Sequence, residues 1–171
     1  MIYLISFLGL LLGYIIASKT KEELIQGKIY FNILANLILI TLIIFLTTKI
    51  FYIGIEFFIF LSMGITLNYF IKKAYFFLGL TLIISNELVL NLMIFIFGLA
   101  YGTLEYIKFK KINYKLILIN LVLFIFPIVL LAKKTMIFDN VLIAFIIGGL
   151  LFEIFNINSR FKKEKRTSRS R

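Results

Sequence analysis

The chain has 171 residues, of which 62% are apolar, and its mean hydropathy is +1.06. A typical soluble chain is about half apolar, so this excess excludes an ordinary globular domain. With no His and no Cys, disulfides, thiol nucleophiles and the commonest metal ligands are excluded, and no cofactor is implied.

Basic residues interrupt the apolar sequence and divide it into runs at about 2–18, 29–48, 50–71, 74–86, 88–107, 116–132 and 135–157. A bilayer-crossing helix needs roughly 20 apolar residues, and continuous rather than alternating apolar runs favour helices over barrel strands. The predicted fold is therefore all-α, a polytopic transmembrane helical bundle with its membrane domain over 1–157 and a basic cytoplasmic tail over 158–171. The net charge of +11 is explained by the flanks of membrane spans, and nucleic acid is disfavoured as a partner.

The first run follows Met1-Ile2-Tyr3, which provides no basic n-region, so it reads as a retained helix rather than a signal peptide. It carries Gly9, Gly13 and Ala17 at a spacing of four, a groove that admits close approach of another helix. That groove serves either packing inside the bundle or docking of a partner membrane protein or a second copy.

The loop Lys19-Thr20-Lys21-Glu22-Glu23-Leu24-Ile25-Gln26-Gly27-Lys28-Ile29-Tyr30-Phe31 follows. Thr20 and Glu23 have capping-box spacing and Gly27 is placed to end a turn, which predicts a short interfacial helical turn before the second run. This stretch resembles loops in uncharacterised small multi-pass membrane proteins of archaea, through Glu22, Glu23, Gly27, Lys28 and Tyr30. The resemblance covers about 20 residues and implies a multi-pass fold, with no activity attached to it.

The second run holds Asn36, and the third holds Glu56, about 9 Å below the outer end of its helix. Residues 74–107 as one helix would extend about 51 Å, too long for one crossing. Ser85-Asn86-Glu87 is the natural break, leaving a short fourth helix. Charge counting supports the break. With seven spans, the N-terminus outside and the C-terminus inside, 16 basic residues lie inside and 3 outside; fusing 74–107 gives a six-span alternative with a split of 12 to 7. Tyr3, Tyr30, Tyr52, Tyr69, Tyr75, Tyr106 and Tyr114 then fall near span ends, as interfacial anchors.

The fifth run bears a polar, small-residue stripe: Glu87, Asn91, Gly98, Tyr101, Gly102 and Glu105 lie within about 60° of one line on a helix. Such a stripe lines a cavity or a helix interface, and Gly98 and Gly102 repeat the helix-packing spacing of the first run. Asn120 and Pro127 lie in the sixth run, and Asp139 and Glu153 in the seventh. Glu105 is expected beside Lys108, and Glu153 beside Arg160. The last run lacks a lysine, which excludes a retinal Schiff base. An offset of 84 pairs Asn36 with Asn120, Lys49 with Lys133 and Gly64 with Gly148; an offset of 85 pairs Gly13 with Gly98 and Ala17 with Gly102. Parallel duplications of this kind occur in small sugar transporters, but the Pro-Gln dipeptide of that group is absent: Pro127, the only proline, is followed by Ile128.

Ionised carboxylates are costly in the bilayer centre, so Glu56, Glu87 and Asp139, with Asn91, are the candidate binding residues. Together with Lys49, Lys133 and Lys134 they share the outer leaflet. The functional expectation is a small transporter-like protein or a membrane-embedded transporter subunit. The alternative is a non-catalytic structural or assembly subunit that binds other membrane proteins. No catalytic motif supports an enzyme, and the basic tail is expected to be disordered and to meet anionic lipids.

Overall fold

A computed structural model of the chain describes the backbone of residues 2–20, 24–50, 52–84, 87–131 and 139–169. Side chains are described over 5–20, 24, 27–50, 52–84, 87–129 and 140–159. Among the described residues there are seven helices and no strand: α1 Ile2–Lys19, α2 Leu24–Thr47, α3 Ile55–Ile71, α4 Ala74–Ile84, α5 Leu88–Phe109, α6 Tyr114–Leu131 and α7 Asp139–Arg169. Stretches within α2, α5 and α7 are long and apolar enough to cross a membrane: Gly27–Thr47, Leu88–Phe109 and Asn140–Ser159; the other helices are shorter.

Continuous Ile, Leu and Phe runs form helices because a helix closes its own backbone hydrogen bonds and needs no water to do so. Charged residues end two of them in the same way. Lys72 after α3 and Lys110 after α5 adopt left-handed φ values of 53° and 54°, and each backbone N–H donates to the carbonyl four residues back at 2.7 Å. Glycine is the usual residue for this cap; the lysines add positive charge where the helix dipole is negative.

Two expectations about element ends are corrected, and a third, the division of 74–107, is met. The stretch around Gly27 is not a separate turn: α2 starts at Leu24 and runs through Gly27, and the Thr20 hydroxyl donates to the Ile16 carbonyl at 3.0 Å, closing α1. Glu22 and Glu23 lie outside the described residues. The tail continues α7 as helix to Arg169, since neither Gly nor Pro follows Gly149 and Lys, Arg and Glu are good helix formers. The run 74–107 is two helices, with α4 ending at Ile84 and α5 starting at Leu88.

Two close crossings organise the bundle. On α1, a Cβ at Gly9 or Gly13 would strike the backbone carbonyls of Phe95 or Leu99 on α5; on α5, a Cβ at Gly98 would lie 2.7 Å from the Leu10 nitrogen, and one at Gly102 would strike the Leu10 carbonyl. The second crossing joins α3 to α7: Gly64 abuts the Phe145 carbonyl and Gly148 abuts the Leu61 carbonyl. Contacts advance together along both helices of each pair, so α1 runs parallel to α5 and α3 parallel to α7.

The α3–α7 crossing is symmetric about a local twofold: Gly64 faces Phe145 as Gly148 faces Leu61, and both equivalent pairs are 84 residues apart. At the other crossing, Gly13 faces the Leu99 carbonyl as Gly102 faces that of Leu10, so the equivalent residues are 89 apart. There Gly13 corresponds to Gly102, not to Gly98 as an offset of 85 would have it. The remaining helices break the symmetry. α2 packs on α5 and α7, whereas α6 packs chiefly on α4 and less on α1.

α4 has 11 residues, about 16 Å of helix, and most of its side chains are buried. Its Tyr75 lies in an aromatic cluster, with ring centroids of Phe7 at 5.4 Å, Tyr101 at 5.8 Å, and Phe97 and Phe124 at 6.2 Å. Tyr75 is therefore no interfacial anchor, because the short α4 begins inside the bundle, and Tyr106 is buried too. Tyr30, Tyr52, Tyr69 and Tyr114 are exposed. The outer surface is apolar: Ile33, Leu37, Ile40 and Ile44 of α2, Phe58 and Ile59 of α3, and Leu118, Val122 and Val129 of α6 all point away from the core.

Candidate functional site

The acids singled out from sequence occupy separate places. Glu87, just before α5, pairs with Lys49 beyond α2 at 3.0 Å, at the half-exposed end of the bundle. Glu56 is exposed in the first turn of α3, where a carboxylate complements the helix dipole. It lines a groove of about 320 Å³ with Tyr52, Gly54, Ile55, Phe57, Asn140 and Val141, so the starts of α3 and α7 adjoin. Asp139 is the first residue of α7; its side chain, with Lys133 and Lys134, lies outside the described residues. Neither Glu87 nor Asn91 lines that groove.

Asn91 is buried and engaged at both ends of its amide. Its Oδ1 accepts from the Ser6 hydroxyl at 2.7 Å, and its Nδ2 donates to the Glu87 carbonyl at 3.0 Å. The stripe on α5 is thus the α1 interface for most of its length, formed by Asn91 on Ser6 and by Gly98 and Gly102 on α1 backbone. Ala17, farther along α1, is fully buried, and the Thr103 hydroxyl donates to the Leu99 carbonyl at 2.8 Å.

At its lower end the stripe reaches a different environment. Tyr14 of α1, Tyr75 of α4, Glu105 of α5 and Asn120 of α6 are all buried, Tyr75 and Asn120 completely. A Cβ at Gly102 would lie 3.2 Å from the Tyr14 nitrogen and the Tyr75 ring is 5.8 Å from that of Tyr101, so both tyrosines pack against α5 one turn before Glu105. Asn120 joins them by register. Gly79 rests against the Phe124 backbone and the Pro127 ring, the Tyr75 ring is 6.2 Å from that of Phe124, and Asn120 lies one turn before Phe124 on the same buried face. Four atoms here meet no hydrogen-bonding protein group: Tyr14 Oη, Tyr75 Oη, Asn120 Nδ2 and Asn120 Oδ1. A buried donor or acceptor in that state costs about 1–3 kcal/mol.

Other polar residues tie helices together. The Asn36 Nδ2 donates to the Asn32 carbonyl and to Asn158 Oδ1 of α7, both at 3.0 Å, while its Oδ1 meets no hydrogen-bonding group. Asn68, absent from the sequence candidates, is fully buried at the α3–α7 crossing. Its Nδ2 donates to the Gly149 carbonyl at 2.7 Å and to Glu153 Oε2 at 3.5 Å, while its Oδ1 accepts from the Lys73 backbone at 3.1 Å. Glu153 is buried there, also receiving the Asn156 amide at 3.5 Å; the Arg160 side chain is outside the described residues. Lys108, expected beside Glu105, is exposed with its ammonium over the Phe109 ring at 4.6 Å.

Sequence reasoning missed Tyr14 and Tyr75 as members of a polar site. The available signals were that Tyr14 follows Gly13 on the face that meets α5, and that Tyr75 opens a run too short to reach both interfaces. Among the described residues no group of three or more His, Cys, Asp or Glu side chains is placed to hold a metal ion. No protein-family model, curated protein or solved structure matches this chain.

Proposed function

We propose that the chain is a multi-pass membrane protein of the carrier class, acting alone or as the membrane-embedded subunit of a larger transporter, with its solute site at Tyr14, Tyr75, Glu105 and Asn120. One observation carries the reading: four polar atoms, contributed by three helices, are enclosed in an apolar bundle without a protein partner. An apolar side chain at these positions would remove the cost of burial, so their retention fits a polar molecule that enters the bundle.

The proposed topology is seven crossings with the N-terminus outside and the C-terminus inside. It is supported by the 16-to-3 charge split, by the parallel pairs α1–α5 and α3–α7, and by the apolar outer belt. About 16 Å of α4 falls short of a 30 Å hydrocarbon core. α4 is enclosed by α6 and α7, however, and a buried segment need not match the lipid. The alternative, an assembly subunit docked through Gly9, Gly13 and Ala17, is less well supported, since α5 already covers the two glycines. The basic tail remains the proposed contact for anionic headgroups.

The chain contains no cysteine, so single cysteines report without background. A carrier site must meet water at some point in its cycle. Asn120→Cys and, separately, Tyr14→Cys are expected to react with a charged thiol reagent in native membranes far faster than Leu42→Cys, a fully buried core control. If both react only after denaturation, at the rate of the control, the carrier reading fails.

A further inference from the structure

We infer that the ligand of this cluster is a small neutral solute bearing several hydroxyl groups, of the polyol or monosaccharide class, held between Tyr14, Tyr75 and Asn120. The inference rests on the carrier reading above and adds the chemistry of the solute. Asn120 leaves both halves of its amide unpaired, a two-hydrogen donor at Nδ2 and an acceptor at Oδ1. A bare cation would suit Oδ1, the two phenol oxygens and Glu105, but would leave Nδ2 unsatisfied and repelled. An anion would meet the acidic Glu105, one turn along α5 from the residues that Tyr14 and Tyr75 pack against.

A hydroxyl group both donates and accepts. A molecule with two or more of them can accept from Asn120 Nδ2, donate to Asn120 Oδ1 and exchange hydrogen bonds with Tyr14 and Tyr75 at once. The surroundings suit the rest of such a molecule: Phe7, Phe97, Tyr101 and Phe124 ring Tyr75, and aromatic faces pack against the C–H faces of a polyol. Because the three unpartnered side chains belong to α1, α4 and α6, the bound solute bridges three helices and stabilises the fold when it binds.

The test is thermal unfolding of the purified full-length protein in mild detergent with millimolar erythritol, xylitol or glucose, and with sodium chloride and choline chloride at the same concentrations. Millimolar polyol is too dilute for general stabilisation by exclusion from the protein surface. At least one polyol is expected to raise the wild-type midpoint by about 5 °C when present in hundredfold excess over its Kd. The rise should vanish in Asn120→Leu and shrink in the Tyr14→Phe, Tyr75→Phe double variant, while the salts leave the wild type unmoved. A rise with choline or sodium that is lost in Glu105→Gln overturns the neutral-solute assignment in favour of a cation. No rise with any of the three polyols overturns it as well. If Asn120→Cys still reacts in membranes in either of those cases, the carrier reading survives its solute; an unreactive cysteine removes both.

Discussion

Asn68 and Asn120 are both fully buried amides on helices of the same bundle, and they differ in almost everything else. Asn68 makes two donations and accepts one hydrogen bond, tying α3 to α7 and to the start of α4. Asn120 meets no protein partner at either end of its amide. A structural amide in an apolar interior is one whose bonds are all made within the chain, because each unmade bond is a direct loss of stability. The difference separates a residue that holds the fold from one that weakens it, and the second kind is where a ligand is to be sought.

The largest expected effect lies at the crossing Asn68 supports. Gly64→Leu places a side chain against the Phe145 carbonyl and the Gly149 nitrogen, both backbone atoms that cannot turn aside. Overpacking of this kind costs about 3 kcal/mol or more, and the variant is expected to lose its folded, monodisperse peak on size-exclusion chromatography. Asn68→Leu comes next. It keeps the volume but removes one donor from Glu153 and from the Gly149 carbonyl and the acceptor of the Lys73 N–H, and a loss of about 2–4 kcal/mol is expected in equilibrium unfolding. Asn120→Leu is expected to move the other way, raising stability by about 1–2 kcal/mol while abolishing solute binding. Equal losses in Asn68→Leu and Asn120→Leu would erase the distinction and make Asn120 an ordinary packing residue.

Much of this bundle was legible in the sequence because hydrophobic length and charge placement act locally. The division of 74–107 into α4 and α5 follows from its excessive length, and the close packing of Gly9, Gly13, Gly98 and Gly102 from their spacing. Depth within the bundle was less legible. Counting residues from a span end puts Tyr75 at the interface, because a run that starts beside Lys72 and Lys73 reads as starting at the membrane surface; the first turn of α4 instead lies among Phe7, Phe97 and Phe124. Asn68 and Asn120 carry the same side chain in similar apolar runs. Only the neighbours that folding brings to them, Gly149 in one case and none in the other, separate their roles. The acids Glu56 and Glu87 looked sharper than either, because a carboxylate in an apolar run is conspicuous, yet the ends of helices are where a carboxylate can stay hydrated.

The smallest effect is expected at one of those acids. Lys49 and Glu87 are joined at 3.0 Å, but their side chains keep 42% and 44% of their exposure, so water already solvates both charges. An exposed pair of this kind contributes about 0–1 kcal/mol and is screened by salt. Lys49→Ala should therefore lower stability by less than half of what Asn68→Leu does, and the loss should fade as salt is raised toward 1 M. The Lys49 ammonium also sits 5.2 Å from the centre of the Phe45 ring, so part of any residual effect should persist in high salt and vanish only when Phe45→Leu is added. A loss in Lys49→Ala as large as that in Asn68→Leu, or one insensitive to salt and to Phe45, would mean that this end of the bundle is drier than its exposure indicates. In that event the contrast between a hydrated end bearing acids and a dry centre bearing unpaired amide and phenol groups would no longer single out Asn120.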